Sequence, residues 1–146
     1  MAVNCENHLI MEKQITVLIA DDNNLMRETL RILIAAADKM TLSGEAKNGE
    51  EAIALAEALT PDIILMDITM SPVNGFEATR KILKKNSSIK IIGFSMHREA
   101  AYCRNLLRLG AKGYIIKGCS HHEIVAAIKE VAAGGKYIDK GISGTI

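Results

Sequence analysis

Apolar residues in this chain fall into short unbroken runs that alternate with longer segments where they recur every three or four positions. Ile15–Ala20 (ITVLIA) is unbroken and rich in β-branched side chains, the pattern of a strand buried on both faces. It stops at Asp21-Asp22-Asn23-Asn24, whose short polar side chains suit a helix start. From Leu25 to Asp38 the apolar positions Met26, Leu30, Leu33 and Ala37 share one face, which predicts an amphipathic helix. Met40–Ala46 is a weaker strand, and Asn48-Gly49 is a turn signal. Glu50–Leu59 is an alanine-rich helix ended by Thr60-Pro61, because the residue before a proline avoids helical angles. Asp62–Met66 is a second buried run, followed by a loop over Ile68–Asn74 and a helix from Gly75 to Lys85. Ile89–Phe94 predicts a strand, Glu99–Leu109 a helix stopped by Gly110, and Tyr114–Ile116 a short strand. A last helix starts at Ser120 and ends near Gly134-Gly135.

Strands alternating with helices in this way imply an α/β domain with a parallel sheet covered on both faces. Residues 14–136 form that domain. Residues 1–13 read as an N-terminal extension, and 137–146, broken by polar residues and glycines, as a tail or linker.

The ends of the apolar runs carry the chemistry. In an open parallel sheet, residues just outside the strands' carboxyl ends share one crevice. Asp21, Asp22, Asp67, Ser95 and Lys117 all stand at such ends. Three carboxylates, a hydroxyl and an ammonium in one crevice suit a divalent cation and transfer of a phosphoryl group to a carboxylate. A carboxylate and a phosphoryl group repel, so the attack needs neutralising charge and fixed orientation. Mg²⁺ accepts oxygen ligands and retains waters, a lysine gives the phosphate a point charge, and a serine adds a directional hydrogen bond. Each position alone has a plainer reading, as a helix cap or a turn residue; their recurrence at successive strand ends favours the shared site. A nucleotide-binding loop is disfavoured, since the turn after the first strand has no glycine.

Composition removes several other classes. The net charge is +1 and there is no Trp, so neither the field nor the stacking platform of a nucleic-acid binder is present. Cys5, Cys103 and Cys119 are unpatterned, which suits reduced thiols and a cytoplasmic location. No run approaches a membrane span, and no secretory signal is evident. His121-His122 are adjacent on a helix and point in different directions, so they do not share a metal. Cys119 lacks a base to activate it.

The segments VLIADDN, PDIILMDITM followed by NGFEA, IIGFSMH and GAKGYIIKG resemble those of response-regulator receiver domains of bacterial two-component systems, over about Gln14–Lys136. The ending AIKEVAAGGKYI resembles the subgroup that precedes a LuxR-type helix-turn-helix domain. The resemblance implies a flavodoxin-like (βα)5 fold with five parallel strands in the order 2-1-3-4-5. It implies that Asp67 accepts a phosphoryl group from a sensor histidine kinase, and that Asp22, assisted by Asp21, binds Mg²⁺ (or Mn²⁺) together with Asp67 and the main-chain carbonyl of Thr69. Lys117 would contact the phosphoryl group, Ser95 would turn inward to it, and Tyr114 would be the switch aromatic. A phosphorylation-dependent homodimer and transcriptional output are further implications, with DNA binding outside this chain.

The chain departs from the family pattern in places. Ser71 stands where a proline is common and Pro72 follows it; Gly118, not proline, follows Lys117; and Met96 is bulky for its position. Thr69 and His97 occupy positions that tune phosphoryl lifetime in the family. Two other functions compete. A haloacid-dehalogenase-like phosphatase needs a second aspartate where Thr69 stands, and a pseudo-receiver would not need the acidic set, Ser95 and Lys117 intact.

Overall fold

A computed structural model describes residues 13–143 of the chain, without the Ser143 side chain. Most of the proposed N-terminal extension, Cys5 included, lies outside the described residues, as do 144–146. The strands are β1 (Ile15–Ala20), β2 (Met40–Ala46), β3 (Ile63–Met66), β4 (Lys90–Ser95), β5 (Gly113–Ile116) and β6 (Tyr137–Ile138). The helices are α1 (Asn24–Ala36), α2 (Gly49–Leu59), α3 (Gly75–Lys85), α4 (Ala100–Arg108), α5 (His121–Ala132) and the single turn α6 (Lys140–Ser143). All paired strands are parallel, in the order β2-β1-β3-β4-β5-β6.

The unbroken apolar runs are explained by a sheet buried on both sides. Alternate residues of each strand enter opposite layers. Leu18, Ala20, Ile64, Met66, Ile91, Tyr114 and Ile116 pack against α2, α3 and α4. Val17, Ile19, Ile63, Leu65, Ile92, Phe94 and Ile115 pack against α1 and α5. Four helices begin with a side-chain cap of the expected kind. Asn23, Asn48, Asn74 and Ser120 each accept from a backbone N–H one turn into the helix, satisfying a donor that would otherwise be orphaned. Asn23, rather than Asp21 or Asp22, caps α1, which leaves both carboxylates for other work.

The five-strand order 2-1-3-4-5 expected of the sheet is present, but the C-terminal reading needs correction. Residues after Gly135 are not simply a linker. Tyr137 and Ile138 pair with Gly113 and Tyr114, and the Asp139 amide donates to the Tyr114 carbonyl at 2.8 Å. The Asp139 carboxylate accepts from the amides of Gly141 (2.9 Å) and Ile116 (3.3 Å). The added strand covers backbone groups that an edge strand would leave unpaired, so Tyr114 does not lie in an edge strand. A two-residue strand has too few positions to show a period, which is why the pattern of apolar residues does not reveal it.

Candidate functional site

Strand register places the site. Ala20 pairs with both Met66 and Ala46, and the next residues continue the ladder: the Asp67 amide donates to the Ala20 carbonyl at 2.9 Å and the Asp21 amide to the Ala46 carbonyl at 3.0 Å. Asp21 and Asp67 therefore leave neighbouring strands at the same level. Ser95 pairs with Ile116, and the Lys117 amide donates to the Ser95 carbonyl at 2.7 Å. All four side chains emerge at the carboxyl end of the sheet, where β1 and β3 form the point at which the strand order reverses.

Asp21, Asp22 and Asp67 each offer a carboxylate oxygen within 4.8 Å of the other two. Asp21 and Asp67 are buried, at 1% and 2% exposure, while Asp22 faces solvent. The Lys117 ammonium lies 2.8 Å from Asp21 Oδ2 and 3.4 Å from Asp67 Oδ2. It also sits 5.7 Å from the centre of the Phe94 ring. One ammonium against three carboxylates leaves an excess of negative charge in a poorly solvated crevice. Burial pushes the Asp21 carboxyl above its ordinary value of 3.8, against the opposing pull of Lys117 and the Asn23 amide, with Asp67 adding to the rise. The donor set is made of hard oxygens, which suits Mg²⁺ or Mn²⁺ and not a thiophilic metal.

Thr69 holds Asp67 in place: its amide (3.0 Å) and its hydroxyl (2.9 Å) both donate to Asp67 Oδ1. Behind Asp67, α3 begins against the same loop. A Cβ on Gly75 would lie 2.3 Å from the Asp67 carbonyl oxygen, closer than any contact the backbone tolerates. Gly75→Ala is accordingly expected to destabilise the fold by about 3 kcal/mol and to weaken metal binding, since the displaced atom belongs to Asp67. Urea unfolding with and without Mg²⁺ checks both parts. The loop between them contains a cis Ser71–Pro72 bond, and Gly118 after Lys117 takes a left-handed φ of 100°.

Ser95 and Tyr114 form a second group, joined by the backbone of His97. Ser95 Oγ accepts from the His97 amide at 3.0 Å, and the Tyr114 hydroxyl donates to the His97 carbonyl at 2.8 Å. Tyr114 is fully buried, and burial pushes its phenol up to about 12. The His97 ring stacks on Tyr102 at a centroid distance of 4.1 Å. Met96 beside it is 70% exposed. His121 and His122 are exposed, and among the described residues the only candidate metal-binding group is the aspartate trio. Cys119 is half-buried, and burial pushes its thiol up to about 11, unlike a nucleophile.

Arg27 was not evident from sequence. It falls on the buried stripe of α1 with Leu30 and Ile34, yet its Nη1 donates to the Asp21 carbonyl at 2.7 Å. A charged residue on an apolar stripe, one turn past an acidic loop, is the signal that could have marked it.

Residues 17–129 match the model of the response regulator receiver domain. The chain belongs to that family. Similar curated proteins include the transcriptional regulatory protein DegU of Brevibacillus brevis, 36% identical over 132 residues that make up 90% of this chain and 56% of that protein. The response regulator GacA of Pseudomonas viridiflava is 39% identical over 129 residues, 88% of this chain and 60% of that protein. Among solved structures, a LuxR-family two-component response regulator from Aurantimonas sp. SI85-9A1 superposes with a TM-score of 0.87 at 32% identity, covering 90% of this chain and 94% of that one. The response regulator domain of Thermotoga maritima CheB gives 0.74 at 34% identity, covering 83% and 95%. The fold is thus the flavodoxin-like receiver fold, and this receiver domain is related to the GacA and DegU regulators. It spans 56% of the length of DegU and 60% of that of GacA. Among the described residues, no helix is long and apolar enough to cross a membrane.

Proposed function

We propose that this receiver domain is a Mg²⁺-dependent phosphoacceptor in which Asp67 takes a phosphoryl group from the phosphohistidine of a sensor kinase. The observation that carries the reading is the Lys117 ammonium set between the buried carboxylates of Asp21 and Asp67, with Asp22 beside them. Asp21, Asp22, Asp67 and the Thr69 carbonyl would hold the cation, which when bound neutralises charge on the phosphoryl oxygens. An Asp67 oxygen attacks phosphorus, the bond from phosphorus to the donor nitrogen breaks, and the leaving imidazole takes a proton. Thr69, through its two hydrogen bonds, fixes the plane of the attacking carboxylate. Lys117 supplies positive charge where the phosphoryl oxygens arrive.

Ser95 and Tyr114 are the switch in this reading. With a phosphoryl group on Asp67, the Ser95 hydroxyl would leave the His97 amide and donate to a phosphoryl oxygen. The segment from Ser95 to His97 would move with it, because Tyr114 grips the same residue from the other side. A two-state element of this kind shifts population when one state binds the new group better. Tyr114→Phe is expected to keep phosphoryl uptake while costing about 1 kcal/mol, the scale of a lost hydrogen bond that leaves a carbonyl unpaired; urea unfolding and labelling of the same variant check this.

The haloacid-dehalogenase-like alternative is disfavoured at Thr69, whose hydroxyl donates to the acceptor carboxylate and is no general acid for a leaving alcohol. The pseudo-receiver alternative leaves the Lys117–Asp21–Asp67 arrangement without a role. The domain is a signalling module that catalyses only its own phosphorylation and slow dephosphorylation. Its setting would be cytoplasmic, with homodimerisation and transcriptional output through parts of a longer protein of the kind its relatives represent.

Phosphoramidate with Mg²⁺ tests the reading without a kinase. The protein should gain the mass of one phosphoryl group, peptide mapping should place it on Asp67, and EDTA should prevent it. Uptake that is indifferent to EDTA, or that maps elsewhere, would defeat the assignment.

A further inference from the structure

Arg27 carries a charge into a place where α1 otherwise buries apolar side chains. It lies on the stripe with Leu30 and Ile34 and is 6% exposed. Burying a guanidinium is costly unless its donors and charge are met. Here Nη1 donates to the Asp21 main-chain carbonyl at 2.7 Å, and Nη2 meets Asn24 Oδ1 in a short contact. Nε faces the Glu45 carboxylate at 3.5 Å. Glu45 in turn receives Arg31, whose Nε and Nη2 lie 2.6 and 3.0 Å away; Arg31 first, and Arg27 after it, hold its carboxyl below the usual range.

The two acceptors nearest the Arg27 fork bracket the acidic loop, one at Asp21 and one at Asn24. A planar guanidinium holds two acceptors in a fixed mutual geometry, which an ammonium does not. This matters because, among the described residues, nothing bonds to the Asp22 carboxylate; its direction follows the loop backbone alone. Beyond Arg27, that backbone is tied by the Asp21 amide to Ala46 and by the Asn23 amide to Asp21 Oδ1 at 2.9 Å. We infer that Arg27 is a positioning residue for the cation site: its guanidinium grips the loop at Asp21 and Asn24 and so holds the two loop carboxylates toward Asp67. The inference rests on the cation-binding reading above.

Simple electrostatics predicts the opposite sign from positioning. Arg27 is a cation beside a cation site, so removing its charge relieves repulsion and should tighten Mg²⁺ binding. If instead it positions the loop, losing the fork should weaken binding, as losing a partner that orients metal ligands typically does by 10- to 100-fold.

The test is calorimetric Mg²⁺ titration at fixed ionic strength of the wild type, Arg27→Gln, Arg27→Lys, Arg31→Gln and Asp22→Asn. Amide exchange of the metal-free proteins supplies a second readout. Arg27→Gln and Arg27→Lys should each bind Mg²⁺ about tenfold more weakly or worse. In both, the Asn23 amide should exchange faster while the β3 amides exchange as in the wild type. Arg31→Gln, which disturbs the same helix–strand connection without touching Asp21, should stay within about twofold of the wild type. Unchanged or tighter binding in either Arg27 variant overturns the inference, as does faster exchange spread evenly through β3. Should Arg27→Gln fail to fold, Arg27→Lys decides alone. A wild type that binds no Mg²⁺ overturns the cation-binding reading and this inference together. A wild type that binds, loses affinity with Asp22→Asn and ignores Arg27 overturns only the inference.

Discussion

Asp67→Asn is expected to lower phosphoryl uptake from phosphoramidate by about 10⁴-fold or more, the scale of removing a nucleophile. The variant isolates chemistry from folding. Its amide oxygen can still accept from the Thr69 amide and hydroxyl, so the loop keeps its shape. The closer of the two Lys117 contacts, to Asp21 at 2.8 Å, is also left intact. Removing one of three neighbouring carboxylates relieves like-charge repulsion, so the metal-free variant should be at least as stable as the wild type. Loss of labelling with retained or increased stability is the expected pair of results, read by intact mass and by urea unfolding. Labelling at the wild-type rate would place the acceptor elsewhere.

Lys117→Met should act on stability in the opposite direction. The side chain is 11% exposed and, among the described residues, its ammonium is the one cation in contact with the two nearly buried carboxylates. Removing one partner of a buried pair leaves uncompensated charge, at a cost of about 3 kcal/mol. The loss should depend on pH with a definite sign. Burial already raises the Asp21 carboxyl above 3.8, and Lys117 opposes that rise. Without Lys117 the folded-state value climbs further above the unfolded one, so the folded state binds more protons in that window. Stability then falls as pH rises through it and is unaffected below the unfolded value. The variant should resemble the wild type near pH 3 to 4 and diverge from it toward neutrality. Mg²⁺ should restore much of the loss, about 2.7 kcal/mol at a concentration one hundred times its dissociation constant. The ammonium and the cation compete for the same carboxylates, so binding itself should tighten. Urea unfolding across pH, with and without Mg²⁺, checks these expectations; a variant equally stable at all pH values would show that Lys117 does not compensate the crevice.

What could be read in the sequence followed from how each feature is encoded. β1, β3 and the Ile91–Phe94 part of β4 are largely apolar runs, and the place where such a run stops is visible, so Asp21, Asp67 and Ser95 could be located at strand ends. The parallel order then brings them to one side of the molecule. Features made by backbone atoms left no such trace. His97 joins Ser95 to Tyr114 through its amide and carbonyl, groups that every non-proline residue carries. Tyr137–Ile138 is too short to show alternation, and its pairing with β5 depends on an edge created far away in the chain. Arg27 was hidden for another reason: its position on α1 is one where the helical period calls for an apolar side chain, and one of the partners that make it tolerable, the Asp21 main-chain carbonyl, leaves no mark in the sequence.

The most direct measurement is a crystal structure of the domain with Mg²⁺ and beryllofluoride. The account predicts the beryllofluoride on an Asp67 oxygen, with Lys117 and Ser95 in contact with its fluorines. It places Mg²⁺ among Asp22, Asp67 and the Thr69 carbonyl, with Asp21 close by. Beryllofluoride bound away from Asp67, or Mg²⁺ held by none of the three aspartates, would contradict it.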